Sequence, residues 1–212
     1  LIRSLTEAAK AAGVAFNLKL TNTLESINHR SVFPENEKMM YMSGRALHPI
    51  SINLAAKLQA DFDGQLDISF SAGADCFNLA DIIACGIKPV TVSSDMLKPG
   101  GYLRGVQYLE NLAAAMKAAG AKTIDQFVLA KAGGGTDVKK AALANLQKYA
   151  AEVVNNRNYK KSFIPDKSIK TPRVLNRFDC IKAPCVTTCP SNQEIPEYLY
   201  RASRGQYKKA FE

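Results

Sequence analysis

Residues 66–94 read LDISFSAGADCFNLADIIACGIKPVTVSS, and this stretch decides the fold class. The first six residues have the alternating, β-branched and aromatic character of a strand, which closes on Ala72-Gly73. Residues 78–85 carry a helical period that ends at Gly86, and residues 89–93 form the next strand. Strand, helix and strand in so short a span fit parallel pairing, because a parallel return needs a crossover over the sheet face. The predicted class is α/β.

Working outward, residues 14–20 read as a strand, preceded by a helix over residues 1–12 with Leu5, Ala8, Ala9 and Ala12 on one face and Gly13 at its end. Residues 22–38 are polar and read as a long loop, residues 39–42 as a short strand, and Ser43-Gly44 as a turn. Residues 50–62 carry a helical period through Leu54, Leu58 and Phe62. Downstream, helices are expected over residues 102–119, 124–132 and 138–155. The Gly133-Gly134-Gly135 run between the last two reads as a hinge, since no Lys-Ser or Lys-Thr pair follows at phosphate-loop spacing. Residues 156–178 have few apolar anchors and two prolines, the composition of a linker. Three or four strands leave sheet edges that a full barrel would cover, so the sequence reads as a piece of a longer chain.

The 212 residues hold 28 Lys plus Arg against 19 Asp plus Glu, a formal charge of +9. Much of the excess falls late, in Lys160, Lys161, Lys167, Lys170, Arg173, Arg177 and Lys182. Almost no aromatics are interleaved there for base stacking, so the cluster reads as a solvated linker and no nucleic-acid partner is expected. No apolar run approaches the ~18 residues of a membrane span, which predicts a soluble, cytoplasmic protein without membrane insertion. His29 and His48 read as loop residues, and Cys76 and Cys85, flanking an apolar helix, as core.

The remaining cysteines form a C-x4-C-x3-C-P run at Cys180, Cys185, Cys189 and Pro190. Thiolates so spaced converge on one metal centre or serve two neighbouring ones, and the closing C-x3-C-P resembles the end of bacterial iron-sulfur runs. Three thiolates do not complete a site: a cluster takes four ligands, and zinc would want a fourth Cys or a His. Iron-sulfur ligation is the leading reading, with a structural zinc module or a plain cysteine core as alternatives.

From Cys180 to Phe211 the motifs Ala183-Pro184-Cys185, Cys189-Pro190, Ile195-Pro196-Glu197-Tyr198 and Gly205-Gln206-Tyr207-Lys208-Lys209-Ala210 resemble the start of the helical ferredoxin domain shared by dihydropyrimidine dehydrogenase and the small subunit of glutamate synthase. That resemblance implies two [4Fe-4S] clusters, with Cys180, Cys185 and Cys189 as part of an incomplete ligand set; Arg177 stands where the family run begins with a further cysteine. Upstream, Met42-Ser43-Gly44-Arg45-Ala46-Leu47-His48-Pro49, residues 69–75 and residues 90–95 resemble the closing strands and loops of the flavin barrel of dihydroorotate and dihydropyrimidine dehydrogenases. The combination is similar to proteins described as selenate reductase iron-sulfur subunits.

The resemblance implies the closing part of a (β/α)8 barrel over residues 1–120, a helical extension and linker over 121–178, and the start of the cluster domain over 179–212. It implies FMN contacts at Lys19, Asn22, Gly44, Gly73, Ser93 and Ser94, with Lys19 at the flavin ring, and places FAD and NADPH in further domains. Ala72, in place of a family glycine, and the charge of Asp95 beside the expected phosphate predict weak FMN binding. The function implied is that of an iron-sulfur flavoprotein oxidoreductase relaying electrons between flavin or nicotinamide and another redox centre, with other domains of the parent chain and redox subunits as partners and no catalytic residue identified. A non-catalytic scaffold with a degenerate barrel and structural zinc is the alternative.

Overall fold

The computed structural model describes residues 1–29, 34–93, 95–97, 101–160, 190–191, 193 and 195–211. Its first unit is α1 (Ile2–Ala11), β1 (Leu18–Leu20), a hairpin of β2 (Leu24–Ile27) and β3 (Met39–Met42), a 3-10 turn (Gly44–Leu47), α2 (His48–Asp61), β4 (Ile68–Phe70) and α3 (Leu79–Ala84). A 3-10 turn (Gly101–Leu103) then leads into α4 (Arg104–Ala118), followed by α5 (Ile124–Lys131), α6 (Val138–Asn155) and a last 3-10 turn (Arg157–Tyr159). Beyond these lie α7 (Ile195–Ser203) and α8 (Tyr207–Phe211). The class is α/β.

β1 and β4 pair in parallel, with Leu18 opposite Ile68 and Leu20 opposite Phe70. A parallel bridge from Phe70 to Val90 adds a third strand position, so β4 is central. Its Ile68 and Phe70 are buried on one face, and Ser69 between them is half-buried on the other. The strand expected over residues 89–93 is thus reduced to one bridge, flanked by Phe70 N–H to the Pro89 carbonyl and Thr91 N–H to the Phe70 carbonyl. α2 and α3 are the crossovers, and Leu47, Ile52, Ala55 and Ile82 close the core over the sheet.

Four sequence expectations change. The loop read over residues 22–38 contains β2, which pairs antiparallel with β3 from Leu24 opposite Met42 to Ile27 opposite Met39. Its side chains are largely exposed, so no apolar alternation marks it; Tyr41 donating to Glu25 Oε1 at 3.1 Å secures the pair. α1 buries none of its residues, and its N-terminal Arg3 instead stacks over Phe62 at 4.8 Å. α6, expected in a helical extension beyond the barrel portion, joins the same core through Leu146, Tyr149, Ala150 and Val153. The fourth concerns His48, which is the first residue of α2 and fully buried, not a loop residue.

Local chemistry explains the helix starts. Thr123 and Gln126 form a reciprocal capping box on α5, and Asp137 accepts from Lys140 N–H at 3.0 Å to open α6. Asn145, on α6, donates to the carbonyls of Ala84 at 2.8 Å and Val128 at 2.9 Å, tying α6 to α3 and α5. Cys76 and Cys85 are buried free thiols, as expected of core residues, and burial pushes the Cys85 thiol well above the usual range. No helix among the described residues is long and apolar enough to cross a membrane.

Candidate functional site

A cleft of about 300 Å³ opens at the carboxyl ends of the three parallel strand positions. Asn22 and Thr23 enter it after β1, Ser71, Ala72, Gly73 and Ala74 after β4, and Thr91 and Ser93 after Val90; Ser43 and Gly44 close it ahead of α2. Below it, the hydroxyls of Thr21 and Ser51 meet at 2.6 Å and fasten the end of β1 to α2. Among the described residues, none of Asn22, Thr23, Ser43, Ser71, Thr91 or Ser93 uses its side chain in a hydrogen bond within the protein. The described lining residues therefore offer five hydroxyls and one carboxamide to a ligand, and no carboxylate is among them.

Gly73 shows why this wall is built from small residues. Its φ is +60°, and a Cβ there would lie 2.7 Å from the Gly44 carbonyl carbon and 2.8 Å from Arg45 Cα. The glycine is thus required by a backbone passing directly behind it, in addition to any ligand in front.

Behind the wall runs a buried polar chain. His48 Nδ1 lies 2.8 Å from the Ala72 carbonyl oxygen and Nε2 lies 2.8 Å from Tyr149 Oη. A carbonyl only accepts, so Nδ1 carries the proton and Tyr149 donates to the bare Nε2. Tyr149 and Tyr159 hydroxyls are 3.4 Å apart, and Asn78 Nδ2 donates to both Tyr159 Oη (3.3 Å) and the Gly73 carbonyl (3.0 Å). The Tyr159 ring stacks on His48 at 4.8 Å. Burial lowers the His48 pKa to about 4, against a smaller upward pull from the Ala72 carbonyl, and burial raises both tyrosines.

With a ligand cleft at the carboxyl ends of parallel strands on the page, comparison with known proteins gives a family. Residues 1–161 match the family described as "Oxidoreductase YgfK, N-terminal TIM-barrel domain". The chain belongs to this family. Two curated relatives, each named "Putative oxidoreductase YgfK", from Escherichia coli (strain K12) and Escherichia coli O157:H7, are 38% identical over 212 residues, all of this chain and 19% of theirs. The chain thus spans about a fifth of the length of the curated relatives it matches. No solved structure matches the chain significantly. The family's description names a TIM-barrel domain, and in TIM-barrel enzymes ligands sit over the carboxyl ends of the strands, where the cleft is.

Four of the residues implicated from the sequence, Asn22, Gly44, Gly73 and Ser93, line this one cleft. Lys19 is exposed on β1 and is not part of the lining. Ser94, Cys180, Cys185 and Cys189 lie outside the described residues. Asp95, read as a negative charge beside the ligand, is buried and absent from the lining: Arg104 pairs with its Oδ1 at 3.1 Å and Tyr108 donates to Oδ2. Thr23, Ser43, Ser71 and Thr91 were not singled out from the sequence, nor was the chain of His48, Asn78, Tyr149 and Tyr159; His48 and Tyr149 are 101 residues apart, with no local pattern linking them.

Proposed function

We propose that this chain forms part of the flavin-binding barrel of an iron-sulfur flavoprotein oxidoreductase that carries electrons between flavin or nicotinamide and another redox centre. The observation that carries the reading is the donor-rich cleft, with no carboxylate among its described lining residues, at the carboxyl ends of adjacent parallel strands in a member of an oxidoreductase TIM-barrel family. Such a lining suits the phosphate end of FMN, whose bound ring would supply the electron chemistry. Ser71, Ser93, Thr91 and the backbone at Gly73 would bind and orient that phosphate. The cleft volume stands at the lower end for ligand pockets, which fits the phosphate and its chain better than a whole flavin. Asp95, held by Arg104, does not oppose the anion from the lining, which removes one of the two reasons for expecting weak binding.

The same reading takes Cys180, Cys185 and Cys189 as cluster ligands, supported by their spacing and by the ferredoxin-domain resemblance. It leaves FAD and NADPH to other domains.

The test is FMN affinity by flavin fluorescence, for the wild type and for Ser71→Asp, which sets a carboxylate on the cleft wall. Saturable FMN binding, weakened roughly tenfold or more by the carboxylate, supports the reading. Absence of FMN binding, or binding indifferent to Ser71→Asp, overturns it. Iron and sulfide analysis of anaerobically prepared protein, with Cys189→Ser beside it, tests the cluster: unchanged iron in the variant removes Cys189 from the ligands.

A further inference from the structure

The wall at residues 72–74 holds two peptide planes whose orientation is set from behind. Both the Ala72–Gly73 and Gly73–Ala74 peptides are trans, so each N–H points opposite to the carbonyl of its own plane. The Ala72 carbonyl is held by His48 Nδ1–H at 2.8 Å, and His48 is fully buried. The Gly73 carbonyl is held by Asn78 Nδ2 at 3.0 Å, and Asn78 is 2% exposed. It follows that the Gly73 amide points away from His48 and the Ala74 amide away from the Asn78 carboxamide. Both residues line the cleft, and among the described residues neither amide has an acceptor within the protein. Two successive amides with a left-handed residue between their planes form the kind of concavity that takes an anionic oxygen.

We propose that His48 and Asn78 are positioning residues that turn the Gly73 and Ala74 amides into the cleft as donors to a phosphate ester. The proposal deepens the flavin reading and rests on it for the ester concerned, but not for the anion site itself. His48 does this in one tautomer only: the Ala72 carbonyl requires the proton on Nδ1, and Tyr149 supports that tautomer by donating its hydroxyl to Nε2, itself backed by Tyr159. Neither His48 nor Tyr149 needs to touch the ligand. Their effect passes through one carbonyl.

The test is a titration of 15N-labelled protein with inorganic phosphate, following the Gly73 and Ala74 amide resonances. In the wild type both should move and saturate together. His48→Leu should weaken phosphate binding roughly tenfold or more, the size expected when hydrogen bonds to a charged group are misaligned. His48→Asn, which returns a side-chain donor near the Ala72 carbonyl, should recover most of that loss, a rescue that a purely volumetric role for His48 would not produce. Tyr149→Phe keeps the ring, removes only the hydroxyl and should weaken binding about threefold; it carries the test if His48→Leu does not fold. Amides indifferent to phosphate in the wild type, an Asn variant no better than Leu, or a Tyr149→Phe affinity equal to that of the wild type would overturn the proposal. Failure of the flavin reading looks different: the two amides would respond to inorganic phosphate while FMN moved neither.

Discussion

Lowering the pH from about 7.5 to about 5 should destabilise the protein by about 2 kcal/mol through His48 alone. Burial holds the His48 pKa at about 4, whereas the unfolded chain restores the ordinary value near 6.5. Between those values the unfolded state binds a proton that the folded state refuses, so stability rises with pH across the window. The contribution is therefore fully present above about pH 6.5 and is lost as pH falls toward about 4, where it totals about 3 kcal/mol; about 2 of this is gone by pH 5. Chemically, the proton would occupy Nε2, the atom that accepts from Tyr149 at 2.8 Å. Urea unfolding followed by circular dichroism at the two pH values gives the loss, and subtracting the same difference for His48→Asn removes the background from carboxylates. Because the chain has only two histidines, His29→Asn assigns the His48 imidazole resonance for direct titration. An imidazole that titrates near 6.5 in the folded protein, or a pH dependence identical in His48→Asn, would refute the argument.

Other positions give sharper mechanical tests. Gly73→Ala, with a Cβ driven against the Gly44 and Arg45 backbone at positive φ, should cost about 2–4 kcal/mol by urea unfolding, whereas Gly134→Ala, with nothing within 4 Å, should cost about 1. Arg104→Met removes the Arg104 cation from the buried Asp95 carboxylate and should cost about 3–5 kcal/mol, with much of the loss recovered in the double variant Asp95→Leu/Arg104→Met; a double variant worse than the single would contradict this. Asn145→Ala should cost about 2–3 kcal/mol because it strands the Ala84 and Val128 carbonyls, and hydrogen exchange should quicken first where α6 meets α3 and α5.

The parts of the fold that were legible in the sequence are those encoded by near neighbours. Residues 66–94 announced β4, the crossover α3 and a parallel return that the structure keeps as a single bridge at Val90, because period and punctuation are local, and Gly13 and Gly86 ended their helices for the same reason. The grouping of Asn22, Gly44, Gly73 and Ser93 followed from the family resemblance, and for Gly73 and Ser93 also from their place after consecutive strands, whose carboxyl ends converge in such an architecture. β2 was missed because a solvent-facing hairpin needs no apolar alternation. Asp95 was misread because its charge is settled by Arg104, nine residues on, and a sequence does not say which way a carboxylate turns. His48 looked like an idle loop residue because everything that defines it comes from elsewhere: the Ala72 carbonyl 24 residues ahead, and Tyr149 from a different helix.

That last separation sets an order in time as well as in space. His48 and the wall it anchors leave the ribosome within 24 residues of each other, but Tyr149, which fixes the ring, follows His48 by 101 residues. At common rates of synthesis that interval lasts roughly 5 to 20 seconds. Throughout it the strands and first crossovers can assemble while Nε2 of the imidazole still lacks its hydroxyl partner. The cleft is thus roughed out early in the life of the chain and locked late, by residues translated long after its walls.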